Sequence, residues 1–282
     1  MARGLSRRAV LAALPLTGLA ATAHATAPGL TLSGKFVQGG WAIGRTAPRA
    51  AIDLDGQAQT VASANGWFVA GFDRDAPPAS KLTVTTPDGS AVDQRTITPG
   101  DFDIQRIDGL PPEQVTPTDP ALLERLAAEN VRKVAGFASQ ADIEGFRDGF
   151  ILPVAGARRS ARFGGQRILN GEPKRPHYGV DLAVPVGTPV RSPASGLVCF
   201  AETGLHYEGG LVLVDHGQGL VTAYLHLSKI LVPAGTYVQQ GQLIAESGKE
   251  GRATGPHVCW RMKWRGRNLD PSLLVGAGPF KA

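Results

Sequence analysis

After its first 25 residues the sequence has no long apolar run, and it contains no repeats or low-complexity tracts. No membrane-spanning segment is therefore expected beyond that leader. Only two cysteines are present, which allow at most one disulfide. Long helical patterns are scarce, whereas Gly (36) and Pro (21) are frequent, as is typical of a turn-rich, mainly β protein. A content of 43% hydrophobic residues is enough to build a core, which excludes global disorder.

Residues 1–25 resemble an export signal, with a basic start, a short apolar run and small residues at the cleavage position. The residues concerned are Arg3, Arg7 and Arg8, the apolar run over 9–21, and Ala23 and Ala25. Paired arginines directly before the apolar run also fit a twin-arginine signal, with a general secretory signal as the alternative. Either route predicts a protein that acts in the periplasm or cell envelope.

The charge balance gives little support to a nucleic-acid partner. The whole chain has 29 Lys and Arg against 24 Asp and Glu, a net charge of +5. Removal of the export signal takes away three arginines and no acidic residue, so the remaining net charge is about +2. We therefore expect no nucleic-acid binding.

Residues 26–110 predict an N-terminal domain of short antiparallel strands. Asp55-Gly56, Asn65-Gly66 and Asp88-Gly89 are strong turn signals between runs of strand-forming residues. The candidate strands are 32–37, 49–54, 67–72, 81–86 and 91–97. Their regular spacing indicates an immunoglobulin-like β-sandwich. Because the segment contains neither His nor Cys, we expect it to be a spacer or a wall-binding module.

Residues 111–150 predict a proline-rich linker followed by one helix. Asp119 can cap this helix, and Pro120 suits its first position. Five apolar residues then recur with helical spacing and form one stripe. They are Leu122, Leu123, Leu126, Val131 and Val134.

Residues 151–282 predict a β-rich C-terminal domain that begins with a basic loop over 158–176 and continues as strands and turns. Two residue pairs in this domain have the spacing of a metal site. His177 and Asp181 are four residues apart, and His257 and Cys259 are two apart, each pair beside a predicted strand. Residues an even number apart point to the same side of a strand. These pairs make a zinc site the leading hypothesis.

A third histidine, His226, lies in a predicted hairpin strand. Alternation places it with Thr222 and Tyr224 on the more polar face of that strand, opposite an apolar face. A histidine in that position is available for proton transfer or for binding an oxyanion.

The segment over 162–274 resembles the lysostaphin-type zinc metallopeptidases, whose catalytic unit is the LytM domain, a β-rich duplicated-hybrid-motif fold. The resemblance is specific because about a dozen short motifs occur in the family's order. They include Arg162-Phe163-Gly164, His177-Tyr178-Gly179-Val180-Asp181, Pro185-Val186-Gly187-Thr188-Pro189-Val190, Asp215-His216-Gly217, Tyr224-Leu225-His226-Leu227-Ser228, Gly255-Pro256-His257 and Asn268-Leu269-Asp270-Pro271.

The resemblance implies a role for each matching residue. His177 and Asp181 match the first two ligands of a single Zn²⁺ ion. His226 and His257 match the two catalytic histidines, which orient or deprotonate a water and stabilise the oxyanion. The family's substrates are the peptide stems and cross-bridges of peptidoglycan, so peptidoglycan is the expected partner.

Cys259 departs from the family pattern, which has a second histidine as the third zinc ligand. A thiolate also binds zinc well, so the site need not be empty. Two alternatives remain open: a thiol that does not bind metal, and a disulfide with Cys199.

The expected function is an exported zinc metalloendopeptidase of peptidoglycan. The alternative is a catalytically impaired domain that binds the wall or regulates a partner hydrolase.

Overall fold

The structure is a computed structural model that describes residues 28–276, so the export signal lies outside the described residues. Within that range the protein is mainly β. One long helix lies in the chain between small N-terminal sheets and a large C-terminal sheet. No helix among the described residues is long and apolar enough to cross a membrane.

The N-terminal strands form two antiparallel sheets, with orders β1-β2-β5 and β4-β3-β6-β7. The strands are β1 (Thr31–Lys35), β2 (Trp41–Arg45), β3 (Ala51–Leu54), β4 (Gln57–Val61), β5 (Trp67–Gly71), β6 (Ala79–Thr86) and β7 (Gly89–Thr96). Strands β2 and β4 were not predicted. The glycines before Trp41 are typical of a loop, and for that reason β2 was missed. β4 was missed because it is largely polar and lies at a sheet edge, so its sequence lacks an apolar alternation.

The long helix begins where the sequence predicts. A short helix α1 (Pro112–Val115) precedes α2 (Pro120–Phe137), and the Asp119 side chain accepts a hydrogen bond from the Leu122 amide. The predicted apolar stripe, however, is only in part the packed side of α2, on which Leu122 and Leu126 are half-buried. Leu123, Val131 and Val134 are exposed, whereas the buried residues of the helix are Glu129 and Gly136.

The C-terminal strands form one ten-stranded sheet with the path β17-β14-β15-β16-β19-β12-β9, to which β13, β18 and β20 are attached. The strands are β9 (Arg158–Ala161), β12 (Val180–Ala183), β13 (Pro189–Arg191), β14 (Gly196–Leu205), β15 (Gly209–Asp215), β16 (Leu220–Ile230), β17 (Tyr237–Val238), β18 (Leu243–Ser247), β19 (His257–Trp264) and β20 (Arg267–Leu269). Val180, Tyr224 and Trp260 belong to the core on one face of this sheet. Gly136 of α2 packs against Leu213 and Phe200, which belong to a separate apolar cluster that includes Cys259.

The predicted basic loop over 158–176 is wrong in part, because it contains three strands. Besides β9 it forms β10 (Gln166–Leu169) and β11 (Glu172–Pro173). β10 pairs in parallel with β8 (Ile104–Ile107), which ends the N-terminal segment. Parallel pairing joins residues far apart in sequence, and a local pattern does not reveal it.

The N-terminal sheets and the C-terminal sheet share one hydrophobic core. Phe68 and Ile52 of the N-terminal sheets belong to the same buried cluster as Met262, Trp264 and Leu269. At Gly71 a side chain would lie 2.9 Å from Leu269. The two sheet systems are therefore packed against each other without a gap.

Candidate metal centre and catalytic site

Strand pairing brings Asp181 and Cys259 together, because they are direct partners across the β12–β19 ladder. His177 joins them from the coil before β12, where its amide donates to the Gly165 carbonyl at 2.8 Å. Its Nε2 atom lies 3.1 Å from Asp181 Oδ1 and 3.3 Å from Cys259 Sγ. The three candidate ligand atoms all lie within 4.8 Å of one another.

The alternation of side chains along β19 explains why His257 and Cys259 lie on the same face of the sheet. Val258 and Trp260 lie in the core, whereas His257 and Cys259 line the cavity on the opposite face, as their spacing predicts. His177 is different, because it precedes the strand and reaches the site through a turn rather than by strand parity. Gly179 makes this approach possible, since a Cβ there would lie 2.9 Å from Cys259 Sγ.

The geometry of the three residues fits a tetrahedral metal. Two ligand atoms about 2.0–2.3 Å from a tetrahedral zinc lie roughly 3.3–3.7 Å apart, close to the separations seen here. Asp181 Oδ1 is buried and has no hydrogen-bond partner, although His177 Nε2 is near it. A buried carboxylate oxygen without a hydrogen bond is costly, and a bound cation would satisfy it.

The pKa directions at the three residues also fit metal binding. Burial lowers the pKa of His177, which keeps its imidazole neutral. Burial alone would raise the pKa of Asp181, but His177 and His257 outweigh it and hold that pKa well below its usual value. Burial raises the pKa of the Cys259 thiol to about 12, so a metal must displace its proton to gain a thiolate ligand.

His226 lies at a β-bulge, and the predicted face of its strand is wrong. Leu225 and His226 together oppose the single residue Leu211, because β15 pairs Gly210 with Leu227 but Val212 with Tyr224. The extra residue reverses the alternation. His226 therefore lines the cavity beside Leu225, while Tyr224 and Leu227 both enter the core. Its φ of 65° is in the left-handed region, which a non-glycine residue rarely adopts.

The two candidate catalytic histidines lie side by side in the cavity lining. Their ring centroids are 4.6 Å apart. His226 Nδ1 donates to the Glu250 carbonyl at 2.7 Å, and His257 Nδ1 donates to the Gly255 carbonyl at 2.8 Å. Each neutral ring therefore has Nε2 as its proton-accepting atom, and His257 Nε2 lies 3.8 Å from Asp181 Oδ1. Burial lowers the pKa of His226 to about 4.

Besides Arg106 on β8, three arginines that sequence reasoning did not single out line the same cavity of about 690 Å³ as Asp181, His226, His257 and Cys259. They are Arg167 on β10, Arg252 in the loop before β19, and Arg261 on β19. Strand parity could have found Arg261, because it is two residues beyond Cys259. Arg167 had no such signal, since it reaches the site through the parallel β8–β10 pairing.

Cys199 and Cys259 are both free thiols, so the disulfide alternative is not realised in the structure. His216 is also outside the site. It is fully buried, its Nδ1 atom is 2.9 Å from the Ser195 carbonyl oxygen, and its Nε2 atom is 2.8 Å from Thr222 Oγ1. Its imidazole is thus occupied by structural hydrogen bonds.

Proteins with similar sequences have names that describe peptidases, in agreement with the candidate metal and catalytic residues. Peptidoglycan DD-endopeptidase ShyA of Vibrio cholerae is 45% identical over 95 residues, which cover 34% of this chain and 22% of ShyA. DD-carboxypeptidase/endopeptidase Mpg of Neisseria meningitidis is 36% identical over 121 residues, which cover 43% of this chain and 28% of Mpg. The chain thus matches less than a third of the length of either relative.

A crystal structure from Pseudomonas aeruginosa, assigned to peptidase M23, is similar over most of the chain. It has a TM-score of 0.66 and 28% identity, and the match covers 86% of this chain and 96% of that one. The profile of Peptidase family M23 matches residues 175–271, which contain all five candidate site residues. Residues 175–271 of this chain are therefore similar to peptidase family M23.

Proposed function

We propose that this protein is an exported zinc metalloendopeptidase that hydrolyses stem peptides or peptide cross-links of peptidoglycan. One observation carries the proposal: Asp181, Cys259 and two histidines with oriented Nε2 atoms line a single cavity, and the third potential zinc ligand, His177, lies directly beside Asp181 and Cys259. The printed activities of ShyA and Mpg, a peptidoglycan DD-endopeptidase and a DD-carboxypeptidase/endopeptidase, support the substrate class. Action on peptidoglycan places the protein in the periplasm or cell envelope.

His177, Asp181 and Cys259 would hold the zinc ion, leaving one tetrahedral position open. When bound, zinc supplies Lewis-acid chemistry that polarises a peptide carbonyl and acidifies water. This set is more anionic than the family's, because the Cys259 thiolate stands beside Asp181.

His226 and His257 carry the proton transfers. Because backbone carbonyls hold both Nδ1 atoms, each ring is fixed and directs Nε2 into the cavity. One neutral imidazole can accept a proton from the attacking water. The imidazolium formed by that transfer can then donate a hydrogen bond to the oxyanion. The left-handed backbone at His226 fits a functional position, since such strain concentrates at active sites.

The N-terminal part has a separate role in this proposal. We propose that residues 26–110 form an immunoglobulin-like sandwich that serves as a spacer or contacts the wall, joined by residues 111–150 to a LytM-type domain over 151–282. The sandwich is supported by the two N-terminal sheets, which contribute residues to one buried cluster.

The alternative is an impaired domain that binds wall or regulates a partner hydrolase, and Cys259 in place of a histidine favours it.

Metal analysis and digestion of purified sacculi separate the two functions. We expect one zinc per chain, release of peptide fragments by the native protein, and loss of release with retained zinc in His257→Ala. Cys259→His should keep the zinc and keep or raise the activity. A folded, zinc-free protein that binds sacculi and releases nothing contradicts the enzyme.

A further inference from the structure

Three arginines beside the metal centre have no role in the chemistry above. We propose that Arg167, Arg252 and Arg261 form a subsite for a substrate carboxylate, so that the enzyme selects wall peptides with a free carboxylate near the cleaved bond. This inference rests on the proposed function, and it names the substrate group that the same cavity recognises.

The three side chains come from separate elements but line one cavity. Arg261 follows Cys259 on the same face of β19, and its Nε donates to Cys259 Sγ at 3.4 Å. Arg252 stacks on the ring of Tyr207, with its guanidinium carbon 4.5 Å from the ring centre. The Arg167 side chain is 20% exposed, and its Nη2 atom is 3.9 Å from Asp181 Oδ2. A ligand bound at the metal centre would therefore lie beside these guanidinium groups.

The cavity lining is positively charged, because it contains four arginines, with Arg106 as the fourth, and three carboxylates, which are Asp103, Asp181 and Glu208. Asp181 is a candidate metal ligand, so its charge is largely committed to the cation. Glu208 is engaged by Lys133, whose Nζ is 2.8 Å from both carboxylate oxygens. Arg167 Nε is buried and has no hydrogen-bond partner. A substrate anion would supply the missing acceptor, and such charge-assisted bonds are among the stronger ones.

The proposed substrate is a wall peptide, and its anionic groups are carboxylates, so a carboxylate is the expected anion. The planar guanidinium fork matches a carboxylate in a bidentate manner. A stem peptide offers a carboxylate at its C terminus and, where it contains a diamino dicarboxylic acid, a second one on that side chain. Both sources present the same group, and the experiment must distinguish them.

The test measures binding by calorimetry, so it does not depend on turnover. The probes are a synthetic stem peptide with both carboxylates, the same peptide amidated at its C terminus, and the same peptide amidated on the side chain. We expect one of the two amidations to weaken binding to the zinc-loaded protein by about 10- to 100-fold. Arg252→Gln and Arg167→Gln should abolish this difference, and Arg252→Lys should restore part of it.

Arg158→Gln is the matched control, because Arg158 is an exposed arginine on β9 that does not line the cavity. It should keep the full preference, and zinc content and melting temperature should match the native protein in every variant used. Equal binding of all three peptides overturns the subsite, as does a preference that survives in both glutamine variants. Sacculus digestion by the native protein, run in parallel, reports on the proposed function independently.

Discussion

Cys259 occupies the position where the resemblance predicts a histidine ligand. Burial raises the pKa of its thiol, whereas the neighbouring guanidinium of Arg261 favours the thiolate. Arg261 donates to the sulfur, and Asp181 and His177 lie close enough to share a metal with it. A second anionic ligand lowers the effective charge on zinc, which should make bound water less acidic. The guanidinium of Arg261 draws negative charge from the sulfur and opposes that effect.

Away from the metal, His216 makes the stability of the fold depend on pH. Burial lowers its pKa to about 4, and its ring nitrogens bond to Ser195 and Thr222. The unfolded chain takes up this proton near its ordinary pKa of 6.5, before the folded chain does. The contribution to stability is thus complete above pH 6.5 and declines as the pH falls towards 4.

We expect the unfolding free energy of the native protein to fall by roughly 3 kcal/mol more than that of His216→Gln across this window. Urea titrations at several pH values measure the difference. His226 also has a pKa lowered to about 4 and remains in both proteins, so it cancels in the comparison. Parallel pH profiles for the two proteins would contradict the assignment.

At the scale of elements, helix α2 is held to the sheet by polar contacts. Glu129 is only 3% exposed, and it accepts hydrogen bonds from Arg125 Nε at 2.8 Å and from the His206 amide at 3.0 Å. One turn later Lys133 pairs with Glu208. These bonds fix the helix to the β14–β15 hairpin.

We expect Glu129→Ala to destabilise the protein by about 2 kcal/mol, because it removes an ionised acceptor and leaves the His206 amide without its partner. Glu124→Ala is the control, since Glu124 is an exposed acid on the same helix. Its effect should stay within about 0.5 kcal/mol. Chemical denaturation compares the two, and equal effects would contradict the anchoring role.

Some features of the helix and strands could be predicted from the sequence, and others could not. The cap at Asp119 was predictable because it depends on adjacent residues. The inward face of α2 was not, because a buried Glu129 depends on partners some 75 residues away. Alternation placed His257 and Cys259 correctly along a regular strand. It failed at His226, because a bulge adds a residue without a distinct sequence signal.

For the whole molecule, the shared core predicts that both sheet systems unfold together. Phe68 is completely buried in the cluster that also holds Trp264 of the C-terminal sheet. The sequence placed a linker near residue 110, and a linker pattern cannot show that the segments on either side share a core. A domain boundary in sequence is therefore compatible with one cooperative unit.

We expect Phe68→Ala to lower the unfolding free energy by about 3–5 kcal/mol while a single transition remains. Val92→Ala, an exposed apolar change in the same N-terminal sheets, should have little effect. Circular dichroism and tryptophan fluorescence should give coincident melting curves. Two separate transitions, with only the first shifted by Phe68→Ala, would contradict the shared core.

We propose that the sulfur of Cys259 binds zinc in a site otherwise similar to that of peptidase family M23. X-ray absorption at the zinc edge of the metal-loaded protein tests it most directly. We expect one sulfur neighbour at about 2.3 Å, with the remaining nitrogen and oxygen neighbours near 2.0–2.2 Å. Cys259→His should lose the sulfur neighbour and keep the zinc. A native spectrum that contains only nitrogen and oxygen neighbours would contradict the claim.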